Sequence, residues 1–264
     1  MLRRFVPGTI DYNGLMAASY REARALSPQA ADAWRAALAP FVPKRRDITI
    51  LDLGAGTGRF AGLLSRVFAG RVIGVEPALG MRSSASQFQW PNEATVVGGS
   101  AESIPLRDGS CDVAWLSQVL HHIRDRALCA SELRRVLRGD GRVFIRGAMA
   151  DSRDLFPTTL RFFPGIAPIF DDLPTIAATV STFRVQGFTL EAHHRVEQQI
   201  CNNLRQFAER TRLRADTSLA LLSDDEFAAG MAALDEAAAR EVEPSPVVET
   251  LELLVFRVAL ENAA

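Results

Sequence analysis

The chain has 264 residues, 48% of them hydrophobic, which is enough for one large α/β domain or for one domain with a smaller cap. Its 30 basic and 31 acidic residues are interspersed and leave a formal net charge of -1, so no basic stripe exists to neutralise phosphates, and nucleic acid is not the expected partner. Cys111, Cys129 and Cys201 are widely spaced, no apolar signal segment follows Met1, and no run of about 18 apolar residues occurs, so a reduced cytoplasm and no membrane partner are expected.

Residues 1–47 read as two short helices forming a cap, the second opened by Ser27 as N-cap with Pro28 at its first position and ending near Ala39, before Pro40 and Pro43. From Ile48 short apolar runs alternate with helical segments, the pattern of βαβ units in a parallel sheet. Strands are expected at 48–53, 71–76, 94–98, 111–116 and 142–148, with helices near 58–69, 78–87 and 125–138. The glycines of Gly139-Asp140-Gly141 are expected to stop the last helix at positive φ. Between Asp151 and Asp172, Phe156-Pro157, Phe162-Phe163-Pro164-Gly165 and Pro168 break any long helix, so this stretch reads as a segment covering a site. A helix at 175–186 leads through Gly187 into a strand at 188–199, followed by helices near 203–213 and 224–239 and a last strand at 247–258. The expected fold is α/β: a doubly wound, Rossmann-like, seven-stranded mixed sheet with its last strand antiparallel, a helical N-terminal cap at 1–47 and a main domain at 48–264. Lid or insertion segments fall at 151–173 and 201–245.

The most specific feature is Leu51-Asp52-Leu53-Gly54-Ala55-Gly56-Thr57-Gly58, a strand followed by three alternating glycines and then a helix. Glycine has no Cβ to keep a ligand off the backbone, and one glycine would suffice for a plain turn into a helix. A dinucleotide fingerprint needs GxGxxG, but here the third glycine falls one residue early, at Gly58, and position 59 is Arg. Glu76 ends the second strand, where a carboxylate can accept hydrogen bonds from both hydroxyls of a ribose. The run from Gly99 to Val113 lies after the third strand, where a loop at the same sheet edge can bracket an adenine, and Asp108-Gly109 turns the chain into strand four.

Leu51 to Phe60, Val72-Ile-Gly-Val-Glu-Pro77, Gly99-Ser-Ala-Glu-Ser-Ile-Pro-Leu106 and Leu120-His-His-Ile123 resemble the motifs of the class I S-adenosylmethionine-dependent methyltransferases, in the branch (methyltransferase type 11) that holds small-molecule and quinone-biosynthesis enzymes. The resemblance is strong over about 48–148. It implies S-adenosylmethionine as cofactor, S-adenosylhomocysteine as product and methylation of a small organic acceptor on O, N or C, and it is compatible with a homodimer. It further implies that Gly54, Gly56 and Gly58 line the methionine and ribose, that Glu76 binds the ribose hydroxyls, that Ala101 and Glu102 flank the adenine, and that Gln118 lies near the methionine end. Asp52, Ala55, Pro77, Met81 and Ser100 complete the implied cofactor contacts.

Transfer from a sulfonium is an in-line displacement that depends on holding the acceptor about 3–3.5 Å from the methyl carbon, and a base is optional. His121 and His122, just after strand four, are the candidate proton acceptors, although Leu-His-His-Ile also fits a helix start in which an imidazole merely packs. His193 and His194 alternate along a strand and are expected to be structural or exposed. Tyr12, Tyr20, Phe156 and Phe163, with Phe162 and Phe170, are candidate walls of an apolar acceptor pocket. Asp171-Asp172 lacks further acids or histidines at ligand spacing, so no metal is expected. Leu116-Ser117-Gln118-Val119 stands where amino-methylating enzymes of nucleic acids carry an Asn/Asp-Pro-Pro-aromatic sequence. Two other readings stay open: an NAD(P)-dependent oxidoreductase, and a non-catalytic cofactor-binding partner protein.

Overall fold

The computed structural model describes residues 25–86 and 94–259. The first expected cap helix, with Tyr12 and Tyr20, lies outside the described residues. Helix α1 (Pro28–Leu38) starts as the sequence requires, with Ser27 Oγ accepting the N–H of Ala30 and proline in the first turn. The same hydroxyl donates to the carbonyl of Gln199 at 2.6 Å, which ties the start of α1 to a distant strand.

Seven strands form one sheet: β1 (Ile48–Leu53), β2 (Gly70–Glu76), β3 (Thr95–Gly98), β4 (Cys111–Ser117), β5 (Leu137–Gly147), β6 (Phe188–Cys201) and β7 (Val247–Val258). Their order is β3-β2-β1-β4-β5-β7-β6. The pairs β1/β2, β1/β4, β2/β3 and β4/β5 are parallel, whereas β7 runs antiparallel to both β5 and β6. All six residues of β1 are buried, as expected of a central strand covered on both faces. Alternate side chains feed two cores. Ile48, Ile50, Val113, Trp115 and Phe144 join Trp34 and Leu38 of α1 on one face. Leu51, Leu53, Ala114, Leu116 and Ile145 join Cys129, Leu133, Phe183 and Phe256 on the other.

The helices that cover these faces are α2 (Ala61–Phe68), α3 (Leu79–Ser86), α4 (Arg126–Val136) and α7 (Ile176–Val185). Between β5 and α7 the proline-rich stretch folds as short turns, including α5 (Pro157–Phe162) and α6 (Ala167–Asp171). The chain between β6 and β7 makes α8 (Leu204–Arg212), α9 (Thr217–Ala220) and α10 (Asp224–Arg240), the last opened by a reciprocal Ser223–Glu226 capping box. The sheet, its antiparallel last strand and the helical insertion agree with the sequence expectation.

One local expectation fails. Gly139 and Gly141 do not stop a helix at positive φ; α4 ends at Val136 and β5 begins at once with Leu137. The register passes from Cys111↔Leu137 to Val113↔Arg142, so residues 138–141 form a bulge inside β5. Pairing with β4 competes successfully with the turn propensity of Gly-Asp-Gly. Gly187, at φ 83, does terminate α7 as expected.

Candidate active site

The strand order reverses between β1 and β4, so the crevice of this doubly wound sheet lies beyond the carboxyl ends of those two strands. The glycine loop leaves β1 there. The N–H groups of Gly54 and Ala55 donate to the carbonyl of Val75 at 2.8 and 3.2 Å, and Gly58 donates to the carbonyl of Ala55 at 2.9 Å. Gly54, Gly56 and Gly58 have φ of 72, 57 and 76. A Cβ at Gly54 would stand 2.5 Å from Cγ2 of Val119, whereas a Cβ at Gly56 would enter open space. Gly54 therefore lets the β1 and β4 loops pack together, and Gly56 keeps backbone bare beside a cavity.

Glu76 closes the loop from β2. Its Oε2 accepts the N–H of Gly56 at 2.9 Å and its Oε1 that of Ala78 at 2.9 Å, leaving a lone pair on each oxygen for a further donor. Burial raises its pKa above the usual carboxylate value, opposed by those two N–H groups and by Arg82. Asp52 sits deeper, where burial raises its pKa to about 7 against the lowering field of Arg59, with the Glu76 charge adding to the rise.

At the end of β4, Gln118 has φ 56, a left-handed conformation unusual for a residue with a Cβ. It is held there by its N–H on the carbonyl of Arg146 at 2.7 Å and by its Oε1, which accepts from Ala148 at 3.1 Å. Such strain concentrates where a side chain must be aimed at a ligand. His121 and His122 follow in a short 3-10 turn with ring centroids 4.1 Å apart. Burial lowers the pKa of His122 to about 4, so its imidazole is neutral near pH 7.

These elements surround a cavity of about 780 Å³, within the range of small-molecule sites. Of the sequence-derived candidates, Gly54, Gly56, Glu76, Pro77, Met81, Ser100, Glu102, Gln118, His121, His122 and Phe156 line it. Its far wall is largely apolar: Ile166, Ile169 and Phe170 from the segment after β5, and Phe207, Ala215 and Leu219 from the insertion.

Several candidates do not line the cavity. Asp52 and Ala55 are buried beneath the loop, and Gly58 shapes its exit by accepting the N–H of Ala61. Ala101 packs against the second core. Phe163 is buried against Gly230 and stacked on Phe227, because α10 lies over it, so it belongs to the core joining the lid segment to the insertion. Phe162 is buried in the same core cluster, whereas Phe170 reaches the cavity. His193 and His194 lie on β6 away from the cavity; His193 Nε2 pairs with Oε2 of the fully buried Glu252 at 2.6 Å. Among the described residues no group of three His, Cys, Asp or Glu side chains could share a metal ion. No described helix is long and apolar enough to cross a membrane.

Sequence reasoning missed Arg146 and Gln198. Arg146 is a buried charge within the apolar run Val143-Phe144-Ile145 of β5, and that anomaly was its available signal. Its NH1 donates to Ser117 Oγ at 3.0 Å and its NH2 to Gln198 Oε1 at 2.8 Å, and the guanidinium lies 4.7 Å from the Trp34 ring centroid and 5.0 Å from that of Phe60.

The bare glycine cradle and the adjoining Glu76 carboxylate suit a ligand that carries hydroxyl donors, as a nucleoside does. A reversing parallel sheet with an antiparallel last strand defines the class I methyltransferase fold. Comparison with known proteins agrees: residues 51–145 match the family described as Methyltransferase domain. The chain is 39% identical over 98 residues to malonyl-[acyl-carrier protein] O-methyltransferase from Methylococcus capsulatus, covering 36% of this chain and 35% of that protein. It is 28% identical over 155 residues to 2-methyl-6-phytyl-1,4-hydroquinone methyltransferase from Synechocystis, covering 58% of this chain and 48% of that protein. The chain thus spans less than half the length of either relative. In structure it is similar to a putative methyltransferase from an antibiotic biosynthesis pathway of Anabaena variabilis, with a TM-score of 0.67 at 16% identity over 88% of this chain and 99% of that one. Residues 51–145 are thus similar to a methyltransferase domain, carried on a fold of the class I methyltransferase type.

Proposed function

We propose that the protein transfers the methyl group of S-adenosylmethionine to a small organic acceptor bound in the same cavity. The observation that carries this reading is the continuity of the cavity, from Gly54, Gly56, Glu76 and Met81 at the cofactor edge to Phe156, Ile169, Phe170 and Phe207 at its far wall. When bound, S-adenosylmethionine would supply an electrophilic methyl group to the acceptor and would be left as the thioether S-adenosylhomocysteine, with any acceptor proton going to a base or to water.

Glu76 anchors the ribose, Pro77 and Met81 face the adenosine, and Ser100 with Glu102 bound the adenine end. Glu102 is oriented for this by the N–H groups of Arg124 and Asp125, which donate to its Oε1 at 3.1 and 3.5 Å. Gln118 positions the methionine end. Asp52, Ala55, Gly58 and Ala101 support the loops from below. His122, uncharged above about pH 4, can accept a hydrogen bond but is a weak base; His121 lines the cavity beside it as the other candidate proton acceptor. Methylation of an acyl group and of a hydroquinone by the two relatives supports a small organic acceptor. The early third glycine and Arg59 speak against NAD(P).

The test is to incubate the protein with methyl-labelled S-adenosylmethionine and an extract of its source cells and to identify labelled products by mass spectrometry. A labelled metabolite dependent on the protein and lost in Glu76→Ala is expected. Binding of NAD(H) in place of S-adenosylhomocysteine overturns the reading; cofactor binding without any labelled product points to a non-catalytic protein.

A further inference from the structure

Gln198 of β6 is 6% exposed and lines the cavity. Its Oε1 accepts two hydrogen bonds, from Trp34 Nε1 at 3.0 Å and Arg146 NH2 at 2.8 Å. Indole and guanidinium nitrogens can only donate, so the amide orientation is dictated by chemistry: oxygen toward Trp34 and Arg146, NH2 away from them. That NH2 group has no partner among the described residues and is left to the cavity. Ser117, at the end of β4, uses its oxygen to accept from Arg146 NH1 at 3.0 Å, so its hydroxyl proton also turns outward into the cavity it lines. The wall made by Arg146, Gln198 and Ser117 therefore offers N–H and O–H donors backed by a buried positive charge, one residue from Gln118. The acid on β7 that shares the cavity, Glu249, accepts from Thr159 Oγ1 at 2.8 Å.

A buried donor array beside a guanidinium is matched by an oxyanion with two acceptor oxygens, and poorly by a neutral ester or an amine. We propose that Gln198, Arg146 and Ser117 form a subsite that anchors a carboxylate of the methyl acceptor. Trp34 and Phe60, packed on the guanidinium, hold the array in place. The inference rests on the methyl-transfer reading, because it assumes that the acceptor lies at this end of the cavity.

The experiment uses calorimetry on the full chain saturated with S-adenosylhomocysteine. Matched pairs of carboxylic acids and their methyl esters, aliphatic and aromatic from two to ten carbons, are titrated at pH 7.5. The expected result is at least one acid bound at least tenfold more tightly than its ester. In Gln198→Glu, where a second carboxylate faces the subsite, that preference is expected to disappear while S-adenosylhomocysteine affinity stays within twofold of wild type. If Gln198→Glu does not fold, Gln198→Met, which lacks the NH2 donors, takes its place: loss of the acid preference is expected there too, and its survival overturns the subsite. The absence of any acid preference across the panel, or its survival in Gln198→Glu, overturns the subsite. Failure of the wild-type protein to bind S-adenosylhomocysteine overturns the methyl-transfer reading instead, so the two failures are distinct.

Discussion

Glu76 accepts one backbone N–H on each oxygen, so the carboxylate is fixed in plane before a ligand arrives and can give its remaining lone pairs to two ribose hydroxyls without reorganising. Replacing it with alanine removes charge-assisted bonds, for a loss of roughly 1.5–3 kcal/mol, or about 10–150-fold in Kd for S-adenosylhomocysteine, measured by calorimetry. Unchanged affinity would refute the ribose contact. Because burial raises the Glu76 pKa, affinity is expected to fall with acidification from above the ordinary carboxylate range. Gly54 makes a second prediction: its φ of 72 and the 2.5 Å approach of Val119 mean that Gly54→Ala should destabilise the fold by about 1–3 kcal/mol in urea unfolding. Adding Val119→Ala should recover the steric part but not the backbone strain; strict additivity of the two changes argues against the clash. The glycine loop and Glu76 were readable in the sequence because their requirements are local. The Arg146–Gln198 pair was not, since 52 residues separate partners that only the β5-β7-β6 strand order brings together.

At the level of elements, the segment after β5 is pinned to the sheet by Glu252 of β7. This fully buried carboxylate accepts from Ser152 Oγ at 3.0 Å and Arg195 Nε at 3.3 Å and pairs with His193 at 2.6 Å. Glu252→Ala leaves Ser152 without its acceptor and is expected to cost about 2 kcal/mol, with faster hydrogen exchange at residues 150–155 than elsewhere in the chain. A uniform change in exchange would mean that the contact does not act locally. The strands and main helices were legible because central parallel strands are continuous apolar runs and the helices carry clear caps at Ser27, Thr175 and Ser223. The bulge at 138–141 was not, because Gly-Asp-Gly satisfies both a turn and a bulge and only the β4 partner decides between them. Phe163 was misplaced for a related reason: composition marks it as apolar but does not say that α10 will cover it.

For the whole molecule, two buried groups oppose each other in their effect on acid stability. Asp52, raised to about 7, favours the protonated folded form, so its contribution is fully present below about pH 4 and is lost as pH rises toward 7. His122, lowered to about 4, acts the other way: the unfolded chain binds its proton first as pH falls below about 6.5, and stability drops with acidification. In Asp52→Asn only the second effect remains, so its stability relative to wild type should improve steadily from pH 4 to 7 in denaturant titrations. A pH-independent difference would remove Asp52 from this account. The sheet also has a consequence for how such a protein diversifies. Cys201 pairs with Val247, so the ends of the intervening chain meet across two neighbouring strands. That stretch supplies Phe207, Arg210, Ala215 and Leu219 to the cavity, whereas the edge with the glycine loop and Glu76 comes from β1, β2 and β4 and their loops. One contiguous cassette can therefore be exchanged by insertion, deletion or recombination, reshaping that wall of the cavity while the opposite edge keeps its own strands and loops.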